Sequence, residues 1–127
     1  MSFAFDARRG LIVIQTEVFG PRSNAVLRLA LDTGATRTLI DAGALAAIGY
    51  DVAGAPDRVQ VTTGSGIASS ARIKVERLVA LGQERQTFSV VSHQLPSTLS
   101  VEGDLGLDFL RGQTLTIDFR SGQVALS

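Results

Sequence analysis

Short apolar segments, separated by Gly, Pro, Asn or Asp, recur along the whole chain. Segments this short with such boundaries are typical of β-strands. The pattern predicts strands at residues 11–15, 26–31, 58–61, 72–81, 86–91, 114–119 and 123–126. Turn-forming residues at 81–84 and 120–123 predict two hairpins between neighbouring strands.

The segment at 72–81 gives the clearest alternation. Apolar residues occupy odd-numbered positions and charged residues occupy even-numbered ones. The apolar residues are Ala71, Ile73, Val75, Val79 and Leu81, and the charged residues are Arg72, Lys74 and Glu76. This period of two predicts a strand with one buried face. Arg77 interrupts the pattern, which predicts a bend or a bulge at that point.

One short helix is predicted at residues 42–48, because Asp41 can act as its N-cap and Gly49 as a left-handed terminator. A second helical turn is predicted at 108–111. No low-complexity segment or linker divides the chain. Residues 1–127 are therefore predicted to form a single all-β domain with one short α-helix.

Composition narrows the chemistry available to this domain. The chain has 127 residues, of which 45% are hydrophobic and 19% charged, with twelve basic and twelve acidic side chains. This balance predicts neither disorder nor a nucleic-acid partner. The absence of Cys and the presence of one His, His93, exclude thiol nucleophiles, disulfides and nearly every zinc arrangement. We expect no metal and no cofactor.

No 18-residue apolar segment occurs, and the first twenty residues lack a basic start followed by a long apolar run. The sequence therefore predicts neither a signal peptide nor a membrane span. This favours the cytoplasm and leaves the compartment otherwise open.

The candidate for chemistry is Asp32. Leu27, Leu29 and Leu31 lie on one face of the predicted strand and lead directly to this acid. Thr33 and Gly34 follow, and an isolated Asp-Thr-Gly would ordinarily be interpreted as a turn stabilised by the aspartate side chain. The residues around it favour a different interpretation.

Residues 29–35 read LALDTGA, which resembles the signature of the retropepsin-like (clan AA) single-domain aspartic proteases. A Gly-rich hairpin, an apolar-flanked glycine in GDLGLDFL and a closing strand pair follow in the same order as in that family. The resemblance covers roughly residues 10–127. It implies an all-β, retropepsin-like acid-protease closed barrel with one short α-helix.

The resemblance also implies a mechanism and a partner. Asp32 would be the catalytic acid, supported by Thr33, Gly34 and Ala35. Two carboxylates that share a proton are required to activate water, and no second Asp-Thr-Gly or Asp-Ser-Gly occurs in the chain. The second acid would be Asp32 of another copy, which predicts a homodimer. The expected substrate is an extended polypeptide, and the expected pH optimum is acidic.

Two further groups of residues follow from the resemblance. The flap over the substrate would span residues 62–67 and include Thr63, Gly64, Ser65, Gly66 and Ile67. Leu105 and Gly106 would form the family's second motif, in which Asp104 stands where an apolar residue is usual. Thr36 and Leu107 replace the Asp and Arg of retroviral members, so this chain resembles a bacterial-type branch with a differently built dimer.

Other motifs in the chain support alternative functions less well. The stretch GSGIAS at 64–69 imitates a dinucleotide fingerprint but lacks the strand-helix context. Ser65 is not in a nucleophile elbow, and His93 has no metal partner. A function of a different class stays open: the chain could be a peptide-binding or dimerisation module with the same fold and little or no catalysis.

Overall fold

The computed structural model of the chain describes residues 1–127 except for the side chain of Thr63. Ten strands and two short helices follow one another in this order: β1 Ser2–Ala4, β2 Val13–Phe19, β3 Asn24–Leu31, β4 Leu39–Asp41, α1 Ala42–Ala47, β5 Arg58–Thr63, β6 Gly66–Ala80, β7 Gln83–His93, β8 Gly103–Leu105, α2 Leu107–Leu110, β9 Leu115–Asp118 and β10 Gln123–Leu126.

Six strands form a closed barrel in the order β2-β3-β8-β4-β7-β6, and pairing between β6 and β2 closes it. β5 pairs with β6 as the first arm of a hairpin that extends from the barrel. β1, β10 and β9 form a separate three-stranded sheet. The predicted all-β closed barrel with a short helix is confirmed.

Apolar side chains, which occur at alternate positions along the strands, fill the interior of the barrel. Fully buried members include Leu29 of β3, Ile40 of β4, Val75 of β6 and Leu105 of β8. Phe109 of α2 is also fully buried, and its ring meets Phe88 edge-on at 6.1 Å between centroids. Burial of this apolar surface is the main favourable term for the fold.

The predicted strands are all present, with boundaries that differ by a few residues. The predicted start and end of α1 have the expected geometry: Asp41 Oδ2 accepts a hydrogen bond from Ala44 N–H at 3.1 Å, and Gly49 has φ +110°. The second helical turn begins one residue earlier than predicted, at Leu107. The hairpin turn after β6 places Leu81 and Gly82 at positive φ.

The predicted interruption at Arg77 is present as a change of the buried face, and the bulge given as one alternative for it does not occur. Val75 pairs with Phe88 and Arg77 pairs with Gln86, so no extra residue is inserted in β6. The buried face changes at Glu76, opposite Thr87, whose φ of +52° reverses the local alternation. Leu78 and Ala80 are buried as a result, in place of the predicted Val79.

No helix in the described part of the chain is long and apolar enough to cross a membrane.

Candidate active site

Asp32 follows the last residue of β3, at the point where β3 runs parallel to β8. Its backbone N–H donates to Leu105 O at 3.0 Å, which continues the ladder by one residue. Its Oδ1 accepts from Gly34 N–H at 2.9 Å, and its carbonyl accepts from Ala35 N–H at 3.2 Å. These bonds form a tight turn that holds a half-buried carboxylate at the end of a strand.

Gly106 lies directly behind this turn. A methyl group on Gly106 would meet Arg37 C at 2.7 Å and Ala35 O at 2.8 Å, distances that real side chains do not adopt. The next residue, Leu107, donates its N–H to Ala35 O at 2.8 Å. The predicted second motif, Leu105 and Gly106, is thus in direct backbone contact with the turn at Asp32.

The buried residue Thr38 and the carboxylate of Asp108 stabilise the same contact between the Asp32 turn and α2. Thr38 is fully buried, and its N–H donates to both carboxylate oxygens of Asp108, at 3.0 and 2.9 Å. Its hydroxyl donates to Asp108 Oδ1 at 2.7 Å and accepts from Gly106 N–H at 3.1 Å. Bonds to an ionised acceptor are stronger than neutral ones, so this network fixes the Asp32 turn against α2.

Sequence reasoning missed Thr38 and assigned Asp108 only to a helical turn. The only local signal is a polar residue placed directly before the apolar pair Leu39 and Ile40. A threonine at the start of a strand is common, so this signal does not distinguish a structural bond from an ordinary strand residue.

A cleft of about 950 Å³ lies between the Asp32 turn and the β5–β6 hairpin. Residues 34–37 line one side, and β5 lines the other through Val59, Gln60, Val61 and Thr62. Leu39, Val91 and Asp104 also line it. The cleft is mainly apolar, with Asp104 and Arg37 as its charged members.

The predicted flap residues lie at the tip of the same hairpin. Gly64 and Ser65 form the turn between β5 and β6, and Gly66 has φ +127°. Gly64, Ser65, Gly66 and Ile67 are exposed and do not line the cleft of the single chain. The side chain of Thr63 lies outside the described residues. The dinucleotide-like stretch 64–69 is part of this antiparallel hairpin and leads into no helix.

Asp104 lies in β8, paired with Ala30 of β3 on one side and Leu39 of β4 on the other. Its carboxyl is half-buried. Partial burial raises the pKa of Asp104 above its ordinary value, and the negative charge of Asp32 raises it further. Asp32 therefore acts electrostatically on Asp104 within one chain.

His93, the only histidine of the chain, lies beside another polar side chain of the fold. His93 is half-buried and its Nδ1 lies 3.4 Å from Ser70 Oγ. Across the described residues, no group of three His, Cys, Asp or Glu side chains is arranged to hold a metal ion.

A family model described as "Aspartyl protease" matches residues 14–109, which is about three quarters of the sequence. The chain belongs to the aspartyl protease family. The matched region begins in β2 and ends in α2, so it contains the Asp32 turn, the β5–β6 hairpin and the Gly106 motif.

The fold of this aspartyl protease family member is also that of a solved structure. A retropepsin-like aspartic protease from Rickettsia conorii superposes with a TM-score of 0.72 at 21% sequence identity. The match covers 99% of this chain and 88% of the other. At this identity the likeness establishes the retropepsin-like fold. No curated protein matches the sequence.

Proposed function

We propose that this protein is an aspartic endopeptidase that acts as a homodimer. One Asp32 from each copy would form the catalytic pair, with Thr33, Gly34 and Ala35 supporting it. The observation that carries the proposal is the Asp32 turn itself, in which a half-buried carboxylate accepts a hydrogen bond from Gly34 N–H and the following residues, Gly34 and Ala35, line a cleft. Membership of the aspartyl protease family supports it.

The reaction follows from two carboxylates about 3 Å apart, which cannot both ionise and so share one proton. The charged carboxylate removes a proton from water as the water oxygen attacks the carbonyl carbon of the peptide bond. The protonated carboxyl donates its proton to the carbonyl oxygen. The resulting gem-diol intermediate collapses when the C–N bond breaks: the departing nitrogen takes the proton held by one carboxyl, and a gem-diol hydroxyl gives its proton to the other carboxylate as the C=O bond re-forms, so the pair again shares one proton.

The cleft fits an extended polypeptide. β5 forms one wall and presents alternate apolar residues, Val59 and Val61, to the cleft. An extended chain can bind by main-chain hydrogen bonds while its alternate side chains fill pockets. In this arrangement the hairpin tip at residues 62–67 would close over the substrate and exclude water.

The central test compares the parent protein with Asp32→Asn. We expect sedimentation to show a dimer for both, and cleavage of an unfolded protein between about pH 3 and pH 7 for the parent alone. The substitution should lower the cleavage rate by about a thousandfold or more, because no proton can be shared. Asp51→Asn is a matched control, since Asp51 is exposed and bonds only to a nearby turn.

Equal cleavage by Asp32→Asn and the parent would refute the assignment. If neither protein cleaves and both bind extended peptides, the chain is a peptide-binding module with an aspartic protease fold. That second function draws on one observation: a single chain holds one Asp-Thr-Gly, so a monomer has only half of the required pair.

A further inference from the structure

Asp104 is a carboxylate in the cleft that the mechanism does not use. It lines the cleft together with Gly34, Ala35 and Val61. Within the described part of the chain, no hydrogen bond or ion pair reaches its side chain. Fully buried acids are normally paired; Asp104 is half-buried without a partner, so its carboxylate is available to a ligand.

The register of β8 places Asp104 beside the proposed catalytic acid. Asp104 pairs with Ala30, two residues before Asp32, in a parallel ladder. Paired residues and residues two apart lie on the same face of a sheet. Strand spacing and rise place the two Cα atoms about 8 Å apart. A substrate side chain next to the reacting bond would therefore lie near Asp104.

The cation that lines the cleft does not neutralise Asp104. Arg37 acts instead on Asp57, whose pKa is lowered by the Arg72 hydrogen bond and also by the charges of Lys74 and Arg37. The pKa of Asp104 is raised by burial and by Asp32, with no opposing contribution from a cation. The charged form of Asp104, which predominates above its raised pKa, thus has no cationic partner in the described part of the cleft, and a cationic ligand would supply one.

The surroundings of Asp104 fit a long cationic side chain. Leu39, Val59 and Val91 are apolar and line the same cleft. Lysine and arginine place their aliphatic stems against apolar surface and their charged ends against an acid or water. A shorter or anionic side chain would leave Asp104 unpaired or repelled.

We propose that Asp104 makes the cleft selective for a lysine or arginine side chain beside the scissile bond of the polypeptide. This inference rests on the proposed function. In a two-fold dimer one Asp104 lies on each side of the Asp32 pair. A cationic residue is therefore accepted at the position before the cleaved bond, at the position after it, or at both.

The test uses peptides that are identical except for lysine or norleucine at one of these two positions. Norleucine keeps an unbranched aliphatic side chain and lacks the ammonium group. For the parent we expect kcat/KM to be about tenfold higher with lysine, the size of a hydrogen bond to a charged group. In Asp104→Asn, and in Asp104→Leu as a second variant, this ratio should fall towards one.

Glu76→Gln is the matched control. Glu76 is an exposed acid on β6 that does not line the cleft, so its loss should leave the lysine-to-norleucine ratio unchanged. The proposal is overturned if the parent shows no lysine preference, or if the preference persists in Asp104→Asn. It is also overturned if Asp104→Asn abolishes cleavage of both peptides in a protein that sediments as a monomer. In that case Asp104 is a second catalytic acid within one chain.

A binding measurement separates this proposal from the proposed function. Two peptides carry a neutral hydroxyethylene group in place of the scissile bond and differ only in lysine against norleucine. If the parent cleaves nothing, the endopeptidase assignment fails. A tenfold tighter Kd for the lysine analogue, lost in Asp104→Asn, would still support the role of Asp104, and equal Kd values for the parent would overturn it.

Discussion

The two walls of the cleft are built in opposite ways. On one side the Asp32 turn is bonded to β8 through Leu105 and to α2 through Leu107. On the other side the tip of the β5–β6 hairpin is exposed, and a methyl group on Gly64 or Gly66 would contact no atom of the described residues within 4 Å apart from its chain neighbours.

This difference separates two requirements of a site that acts on a polymer. A catalytic acid must keep its geometry, and the Asp32 turn, which we propose to carry that acid, is restrained by contacts distant in sequence. A segment that admits an extended ligand must leave space, and the β5–β6 hairpin is held along its length by its own strand ladder. Substitutions on the two walls should therefore affect different measurements.

The largest effect is expected for Gly106→Ala. The new methyl group would clash with backbone atoms of Ala35 and Arg37, which cannot move without displacing the Asp32 turn. Such overpacking costs about 3 kcal/mol. We expect a large loss of stability in chemical unfolding together with loss of any peptidase activity. Gly10→Ala is the control, since a methyl group there meets nothing within 4 Å. Equal unfolding midpoints for the two variants would contradict the described contact.

The next effect is expected for Asp108→Ala. The substitution leaves the buried N–H of Thr38 without an acceptor, because that group bonds only to Asp108. Loss of a charged acceptor at a buried donor costs about 2 to 3 kcal/mol. Thr38→Val keeps the backbone bonds and removes only the hydroxyl, so it should cost less. Urea unfolding measures both losses of stability. A larger loss for Thr38→Val than for Asp108→Ala would show that the Thr38 hydroxyl contributes more to the network than the Asp108 carboxylate does.

A smaller, pH-dependent effect is expected for Asp104→Asn. The pKa of Asp104 is raised in the folded state, so the folded protein holds this proton more tightly than the unfolded chain. Stability is lost as pH rises from the ordinary Asp value of about 3.9 through the raised pKa. Asp104→Asn should therefore be more stable than the parent at pH 7 and about equal to it at pH 3.

The gain at pH 7 should be a fraction of a kcal/mol, because solvent screens a half-buried charge. Thermal unfolding at the two pH values checks it, at concentrations where both proteins have one oligomeric state. A stability difference that shrinks as pH rises would mean that the charged form of Asp104 has a stabilising partner.

The smallest effect on stability is expected on the hairpin. Ile67 is 70% exposed, so Ile67→Ser should change the free energy of unfolding by less than about 0.5 kcal/mol. If the hairpin covers the substrate, KM should rise several-fold while the unfolding midpoint stays constant. Val26→Ser is the matched control, since Val26 is 60% exposed on β3 and away from the hairpin. An equal change of KM in both variants would contradict a role for the hairpin.

The sequence predicted the parts of the fold that have a local signal. The long strands β6 and β7 and the helix cap at Asp41 follow from alternation and side-chain type. β4 and β8 were not predicted, because three residues are too few to display a period. These two strands adjoin the site, so the neighbours of Asp32 were less predictable than Asp32.

Some residues of the candidate site could likewise be predicted from the sequence, and others could not. Asp32, Gly34 and Gly106 could be proposed from motifs, and the structure places Asp32 and Gly106 directly after the adjacent strands β3 and β8. The bond between Thr38 and Asp108 could not, since 70 residues separate them and neither residue has a distinctive neighbour. The proximity of Asp104 to Asp32 likewise depends on the parallel register of β3 and β8.

The long separation between Thr38 and Asp108 has a consequence for the order of events during synthesis and folding. Bringing such distant segments together carries a large loop-closure entropy and tends to be late. The Asp32 turn acquires its restraints only after β8 and α2 have been added and docked. A nascent or partly folded chain therefore lacks an ordered acid, so proteolytic competence would arise only when the barrel has closed.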